Sequence, residues 1–205
     1  MTFVDNVTDP ESSDYIHPQD RIATFDFDGT IYCEKPIYAN FEVCILHYRE
    51  AVELIEYLLK EDFQVFICSG SMTGFLRGAC EGHLPLDSSH IIGSRVELEY
   101  SFEDSAITFL RKENIIHNND ADGKALGIYN HIGKPPVIAV GNTCGDVEML
   151  QYAQSNSQPN LMLVINHDDS TREYEYYDNK LLEICKQNGW IIVSMKEDFK
   201  NIFIK

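Results

Sequence analysis

Apolar positions along the chain change period repeatedly, and the changes follow a strand–helix rhythm. Ile22 to Phe27 is a short apolar run ending in acids, the pattern of a buried strand. From 49 to 61, Val52, Ile55, Leu58 and Leu59 recur at helical spacing. Val65 to Cys68 is a second buried run leading into Ser69-Gly70-Ser71, with a helix expected next and ending near Gly82. Ile91 and Ile92 predict a third strand. Val96, Leu98 and Tyr100 alternate, and Ile107 and Phe109 follow a polar turn, which predicts a small hairpin over 94–110. A helix over 122–132 stops near Gly133, ahead of Pro135 and Pro136. Val137 to Val140 and Leu161 to Ile165 predict two more strands, with helices near 145–154 and 178–188. Trp190 to Val193 predicts a last strand, and a short helix is expected to close the chain.

This alternation predicts an α/β fold: a doubly wound, mostly parallel, Rossmann-like sheet with helices on both faces. Such sheets bind ligands beyond the carboxyl ends of their strands. The opening MTFVDNVTDPESSDYIHPQD is acidic and polar, unlike a secretory signal. It reads as a flexible tail over 1–17, leaving one domain over 18–205. No apolar run is long enough for a transmembrane helix. The expected location is the cytoplasm of the producing cell, or outside it by a route using no cleaved signal.

Charge narrows the function. Lys and Arg total 16 against 33 Asp and Glu, a formal −17. A nucleic-acid binder needs clustered basic residues, and so does a polybasic membrane anchor, so neither partner is expected. An acidic protein that handles phosphate needs a metal ion or local donors. The six cysteines, Cys33, Cys44, Cys68, Cys80, Cys144 and Cys185, are dispersed and read as reduced thiols. No Cys-x5-Arg array is present, which excludes a cysteine-dependent phosphatase loop. The seven histidines lack zinc-site spacing. His167, beside Asp168 and Asp169, reads first as a solvated loop residue, and Arg77 as a surface ion-pair former.

Polar motifs gather at the predicted strand ends. The first strand ends in Asp26-Phe27-Asp28-Gly29-Thr30, the second in Ser69-Gly70, and the fourth in Gly141-Asn142 with Asp146 close behind. Lys124 opens the helix before the fourth strand. A lone Asp-x-Asp-Gly is more often a turn or a cap. Four polar elements on one sheet edge suggest phosphoryl transfer. One carboxylate attacks phosphorus, and an acid two residues on shuttles the proton. Gly29 permits the sharp turn between them. Ser69 and nearby backbone N–H groups hold phosphoryl oxygens, and Lys124 offsets charge. Carboxylates beside a phosphate dianion call for a hard cation, and Mg2+ is the natural choice.

These segments resemble the haloacid dehalogenase superfamily of aspartate-nucleophile phosphatases. The resemblance rests on DFDGT, on SG after the second strand, on DGKALGI and on GNTCGDVEML. It runs from His17 to Phe203. HPQDRIATFDFDGT and HDDSTREYEYYD are similar to a bacterial branch that includes phosphoserine-phosphatase-like acid phosphatases. It implies Asp26 as nucleophile and Mg2+ ligand, and Asp28 as acid/base with its carbonyl on the metal. Ser69 and Lys124 would be catalytic, and Asn142 and Asp146 would complete the metal shell. Gly29, Thr30, Ser69, Gly70 and Lys124 would bind phosphate.

Two departures stand out. Asn142 occupies a position where many members carry an acid. The stretch IYCEKPIYANFEVCILHYRE is too short for the cap domain of related proteins, and the hairpin at the other cap position is small. A capless cleft implies a macromolecular substrate, a phosphoprotein with phosphotyrosine preferred, and Tyr32, Tyr38 or Phe75 could stack on its ring. A small-metabolite phosphatase and a decayed phosphoprotein-binding module remain the alternatives. A phosphoacceptor signalling domain fits poorly, because its acceptor follows the third strand. The chain is also consistent with one part of a longer exported protein.

Overall fold

The computed structural model describes residues 2–35 and 47–204. A seven-stranded sheet has the order β4-β3-β2-β1-β5-β6-β7. The strands are β1 (Ile22–Phe25), β2 (Gln64–Met72), β3 (Ile91–Glu103), β4 (Ala106–His117), β5 (Ile138–Gly141), β6 (Leu161–Asn166) and β7 (Ile191–Ser194). All neighbours pair in parallel except β3 and β4. This is the expected α/β class.

The helices are α1 (Thr2–Thr8), α2 (Arg49–Lys60), α3 (Thr73–Cys80), α4 (Asp122–Ile132), α5 (Val147–Gln154) and α6 (Asn179–Asn188). Two buried clusters sandwich the sheet. Ala23, Phe25 and Phe27 face one that holds Ile55 and Leu58 of α2 and Leu76 of α3. Ile22 and Ala139 face the other, with Ile128, Leu150 and Leu181 from α4, α5 and α6. Burial on both faces is why β1 reads as an unbroken apolar run. Gly133 ends α4 in a left-handed conformation with its N–H on Tyr129 O, as the sequence predicts.

Three expectations are corrected. Residues 2–17 of the expected tail do not behave as one: α1 buries Val4 and Val7, and Ile16 is buried beside them. Arg21 holds this segment down by donating from Nε to Ile16 O at 2.8 Å. The last described residues, after β7, form turns and a bridge between Phe203 and Tyr48 rather than a helix. The hairpin is longer than predicted, because β3 runs without interruption from the sheet to its tip. Asp104 and Ser105 both hold positive φ at that tip, the conformation a two-residue hairpin turn requires.

Chain order places the ligand crevice. The sheet grows outward from β1 to β2 and β3, then returns to put β5 against the other side of β1. The order in which the chain adds strands reverses between β1 and β5, which run parallel, and this is the switch point where open α/β sheets leave room for a ligand.

Candidate active site

Asp26 follows β1 at this point, its N–H donating to Val140 O of β5 at 2.9 Å. Lys124 arrives from the first turn of α4, after Ala121, whose φ of +50° is strained for alanine. Its Nζ lies 2.5 Å from Asp26 Oδ1 and 2.5 Å from Asp146 Oδ1. All three side chains are almost fully buried. Burial, and then the charge of Asp146, push the Asp26 carboxyl well above its ordinary value, while Lys124 opposes them. Burial alone would lower the Lys124 pKa, but the two carboxylates outweigh it and keep the ammonium charged.

Asp146 is engaged by Lys124 and by its own loop. Its Oδ2 accepts from Asn142 N at 2.9 Å and Thr143 N at 3.0 Å, and its Oδ1 is taken by Lys124. It orients Lys124 and the loop after β5.

The oxygens that do converge belong to Asp26, Asp28 and Asn142. The cleft-facing atom of the Asn142 amide lies 3.1 Å from Asp26 Oδ2 and 3.1 Å from Asp28 O. With oxygen in that position, three acceptors face one another and need a cation between them. Adjacent oxygens around octahedral Mg2+ lie about 3.0 Å apart, since Mg–O bonds are about 2.1 Å. The donor set is all oxygen and the spacing matches, so these residues fit Mg2+. Among the described residues, no cluster of three His, Cys, Asp or Glu side chains forms a metal site. The fit depends on the Asn142 amide and a backbone carbonyl, which such clusters leave out.

The phosphate-binding expectations need revision at three positions. Gly29 N–H is spent on Tyr32 O at 2.9 Å, and Thr30 N–H on Phe27 O at 3.3 Å. The Thr30 hydroxyl, fully buried, donates to Asn142 Oδ1 at 3.3 Å. Ser69 is also fully buried, and its hydroxyl donates to Asp28 Oδ2 at 3.0 Å. It aims the acid rather than facing the cleft. Gly70 and Lys124 do line the cleft, as expected, with Ser71 beside them.

The cleft holds about 820 Å³ and is lined by Asp26, Asp28, Glu34, Asp120 and Asp178 against Lys35 and Lys124. Acids outnumber bases there, so a phosphate dianion needs added positive charge. Sequence reasoning missed Glu34, Ser71, Asn118, Asp120 and Tyr176 as lining residues. The only signal was the segment HDDSTREYEYYD, to which no side-chain role was given. Tyr176 and His167 come from it. His167 is corrected outright: it is 1% exposed, with Nε2 on Gly29 O at 2.7 Å and Nδ1 on Glu173 Oε2 at 2.9 Å. It clamps the loop that carries Asp28. Gly29 needs its φ of +82°, and a Cβ there would lie 2.1 Å from Asn142 Nδ2 and 2.5 Å from Tyr176 Oη.

The proposed aromatic entrance is also revised. Tyr32 is buried against Phe27, with ring centroids 4.9 Å apart. Phe75 packs on the core, and Tyr38 lies outside the described residues, as does Cys44. Among the described residues, Tyr176 and Tyr177 are the aromatics that line the cleft. Arg77 donates to Ser88 O at 3.0 Å, away from it. The described cysteines are free thiols. Burial raises Cys144 to about 11 and Cys68 to about 12, so neither is an activated nucleophile. No described helix is long and apolar enough to cross a membrane.

No family model and no curated protein matches the chain. Among solved structures, a conserved functionally unknown protein from Anaerococcus prevotii aligns at TM-score 0.49 and 19% identity, over 70% of this chain and 35% of that one. A phosphoserine phosphohydrolase-like protein from Francisella tularensis aligns at TM-score 0.47 and 14% identity, over 72% and 58%. A HAD family hydrolase from Salmonella enterica serovar Typhi aligns at TM-score 0.44 and 14% identity, over 78% and 69%. The chain thus spans only 35% and 58% of the first two.

Proposed function

We propose that this protein is a Mg2+-dependent phosphomonoester hydrolase of the haloacid dehalogenase type, working through an aspartyl phosphate. The observation that carries the reading is the meeting of Asp26, Asp28 O and Asn142 with Lys124 at the switch point of the sheet. Asp26, Asp28 through its carbonyl, and Asn142 would hold the metal. When bound, Mg2+ supplies the positive charge that lets a phosphate dianion enter an acidic cleft.

Asp26 attacks phosphorus through a carboxylate oxygen, forming the acyl–phosphate bond as the ester P–O bond breaks. Asp28 gives its proton to the leaving oxygen. It then takes a proton from the water that cleaves the aspartyl phosphate, releasing phosphate and regenerating Asp26. The Ser69 hydroxyl aims Asp28 by its bond to Oδ2. Lys124 keeps Asp26 in place and stabilises charge on the transferring group. The proposed substrate is a phosphotyrosyl side chain, long enough to reach a nucleophile that is only 4% exposed. Tyr177, at the cleft and 51% exposed, would stack on its ring.

The test is phosphate release from phosphotyrosyl and phosphoseryl peptides beside small phosphate esters, with and without EDTA. Asp26→Asn is expected to lower kcat by roughly three orders of magnitude or more, since the covalent route is lost. Turnover that survives both EDTA and Asp26→Asn would overturn the mechanism. Faster hydrolysis of sugar phosphates than of phosphotyrosyl peptides would overturn the substrate assignment alone.

A further inference from the structure

We infer that Glu34 and Tyr176 are positioning residues that turn the Asn142 amide so that its oxygen, not its nitrogen, faces the cation site. The inference rests on the Mg2+ reading above and adds residues that reading does not use. An asparagine ligand has a difficulty that an aspartate lacks. Its two ends are nearly equal in shape but opposite in polarity, and only the oxygen can ligate a cation.

The wrong orientation here is a good one in the absence of metal. With nitrogen inward, the amide donates to Asp26 Oδ2 and to Asp28 O, 3.1 Å from each. That state occupies two oxygens meant for the metal. Something must oppose it, and the opposing group sits on the far side of the amide. Tyr176 Oη lies 2.7 Å from the outer amide atom and 2.7 Å from Glu34 Oε1.

Hydrogen-bond polarity does the rest. A Glu34 carboxylate can only accept, so the single Tyr176 proton goes to Glu34. Tyr176 Oη then has only lone pairs to offer Asn142. The outer amide atom must therefore be Nδ2, which donates to Tyr176, and Oδ1 is left facing Asp26 and Asp28. The Thr30 hydroxyl is compatible with this orientation, donating to Oδ1 at 3.3 Å. Tyr176 is itself held rigidly: His167 stacks on its ring with centroids 4.3 Å apart and planes 16° apart. Glu34 is 5% exposed, so water offers little competition for its oxygen. An aspartate at 142 would need no such device, because its two oxygens are alike.

The experiment is Mg2+ titration of the full chain by isothermal titration calorimetry, without substrate. Tyr176→Phe is expected to weaken Mg2+ binding about tenfold, the worth of one buried hydrogen bond. In an Asn142→Asp background the same substitution is expected to change the Kd by no more than about twofold, because no amide remains to orient. A Tyr176 that only supported the fold would lose affinity equally in both backgrounds, and that result would overturn the inference. So would equal Kd values for the wild type and Tyr176→Phe. If the wild type binds no Mg2+ at all, the metal reading falls and this inference with it. Glu34→Gln in both backgrounds makes the same comparison should Tyr176→Phe fail to fold. A glutamine can donate as well as accept, so a smaller loss is expected there, confined to the Asn142 background.

Discussion

Lys124 and Asp26 are separated by 98 positions in the chain and meet at 2.5 Å. One ammonium is shared by Asp26 and Asp146 in a buried place. Such a group costs stability in isolation and persists where chemistry uses it. The pair was legible as types, since Asp-x-Asp and a later Lys were marked from the residues alone. What could not be read was which oxygen of each acid would be free. His47 gives a simpler single-residue case. It is buried, its Nε2 has no partner, and burial, with His83 stacked 5.2 Å away, lowers its pKa to about 4. The folded state holds it neutral, while the unfolded chain protonates it near 6.5. Its contribution is fully present above pH 6.5 and is lost as the pH falls towards 4, by at most about 3 kcal/mol and by less to the extent that solvent screens the ring. Urea unfolding at a series of pH values should show this acid slope in the wild type. His47→Leu should flatten it between those limits.

At the scale of elements, strands buried on both faces and helices with firm stops were readable, and the hairpin only in part. Tyr100 pairs with Phe109 and Phe102 with Ile107 across β3 and β4. With Leu98 and Ile115, each more than half exposed, these residues make a largely apolar face that also carries Arg111 opposite Leu98. The opposite face carries Glu99 with Lys112, Ser101 opposite Thr108, and the exposed Leu110 across from Glu99. Alternation correctly announces a two-sided ribbon. It does not announce that nothing in the described fold covers the apolar side. Because these rings are exposed, replacing Tyr100 and Phe109 together by Ser should cost less than about 1.5 kcal/mol, mainly their edge-to-face contact. Chemical denaturation measures this directly. A loss several times larger would mean that the face is covered in solution.

Over the whole molecule, the acidic balance and the three-layer sandwich set the context in which the cleft works. The N-terminal segment is part of that sandwich. Deleting residues 2–8 removes Val4 and Val7 from the core and should lower the unfolding free energy by about 3 kcal/mol or more. A truncated chain with unchanged urea midpoint and slope would show that α1 contributes nothing to the fold.

What could be read from residue order was whatever depends on near neighbours: period, strand ends, helix stops, and the clustering of acids, Lys124 and Asn142 on one edge. Those signals are local, and a buried strand or a glycine stop looks much the same in any context. The placement of His167 under Gly29, of Tyr176 between Glu34 and Asn142, and of Ser69 on Asp28 came only with the tertiary structure. So did the engagement of Asp146 by Lys124 and the loop after β5. Each depends on which hydrogen-bond partner reaches a buried group first. That competition is decided between segments more than a hundred residues apart in the cases of His167 and Tyr176.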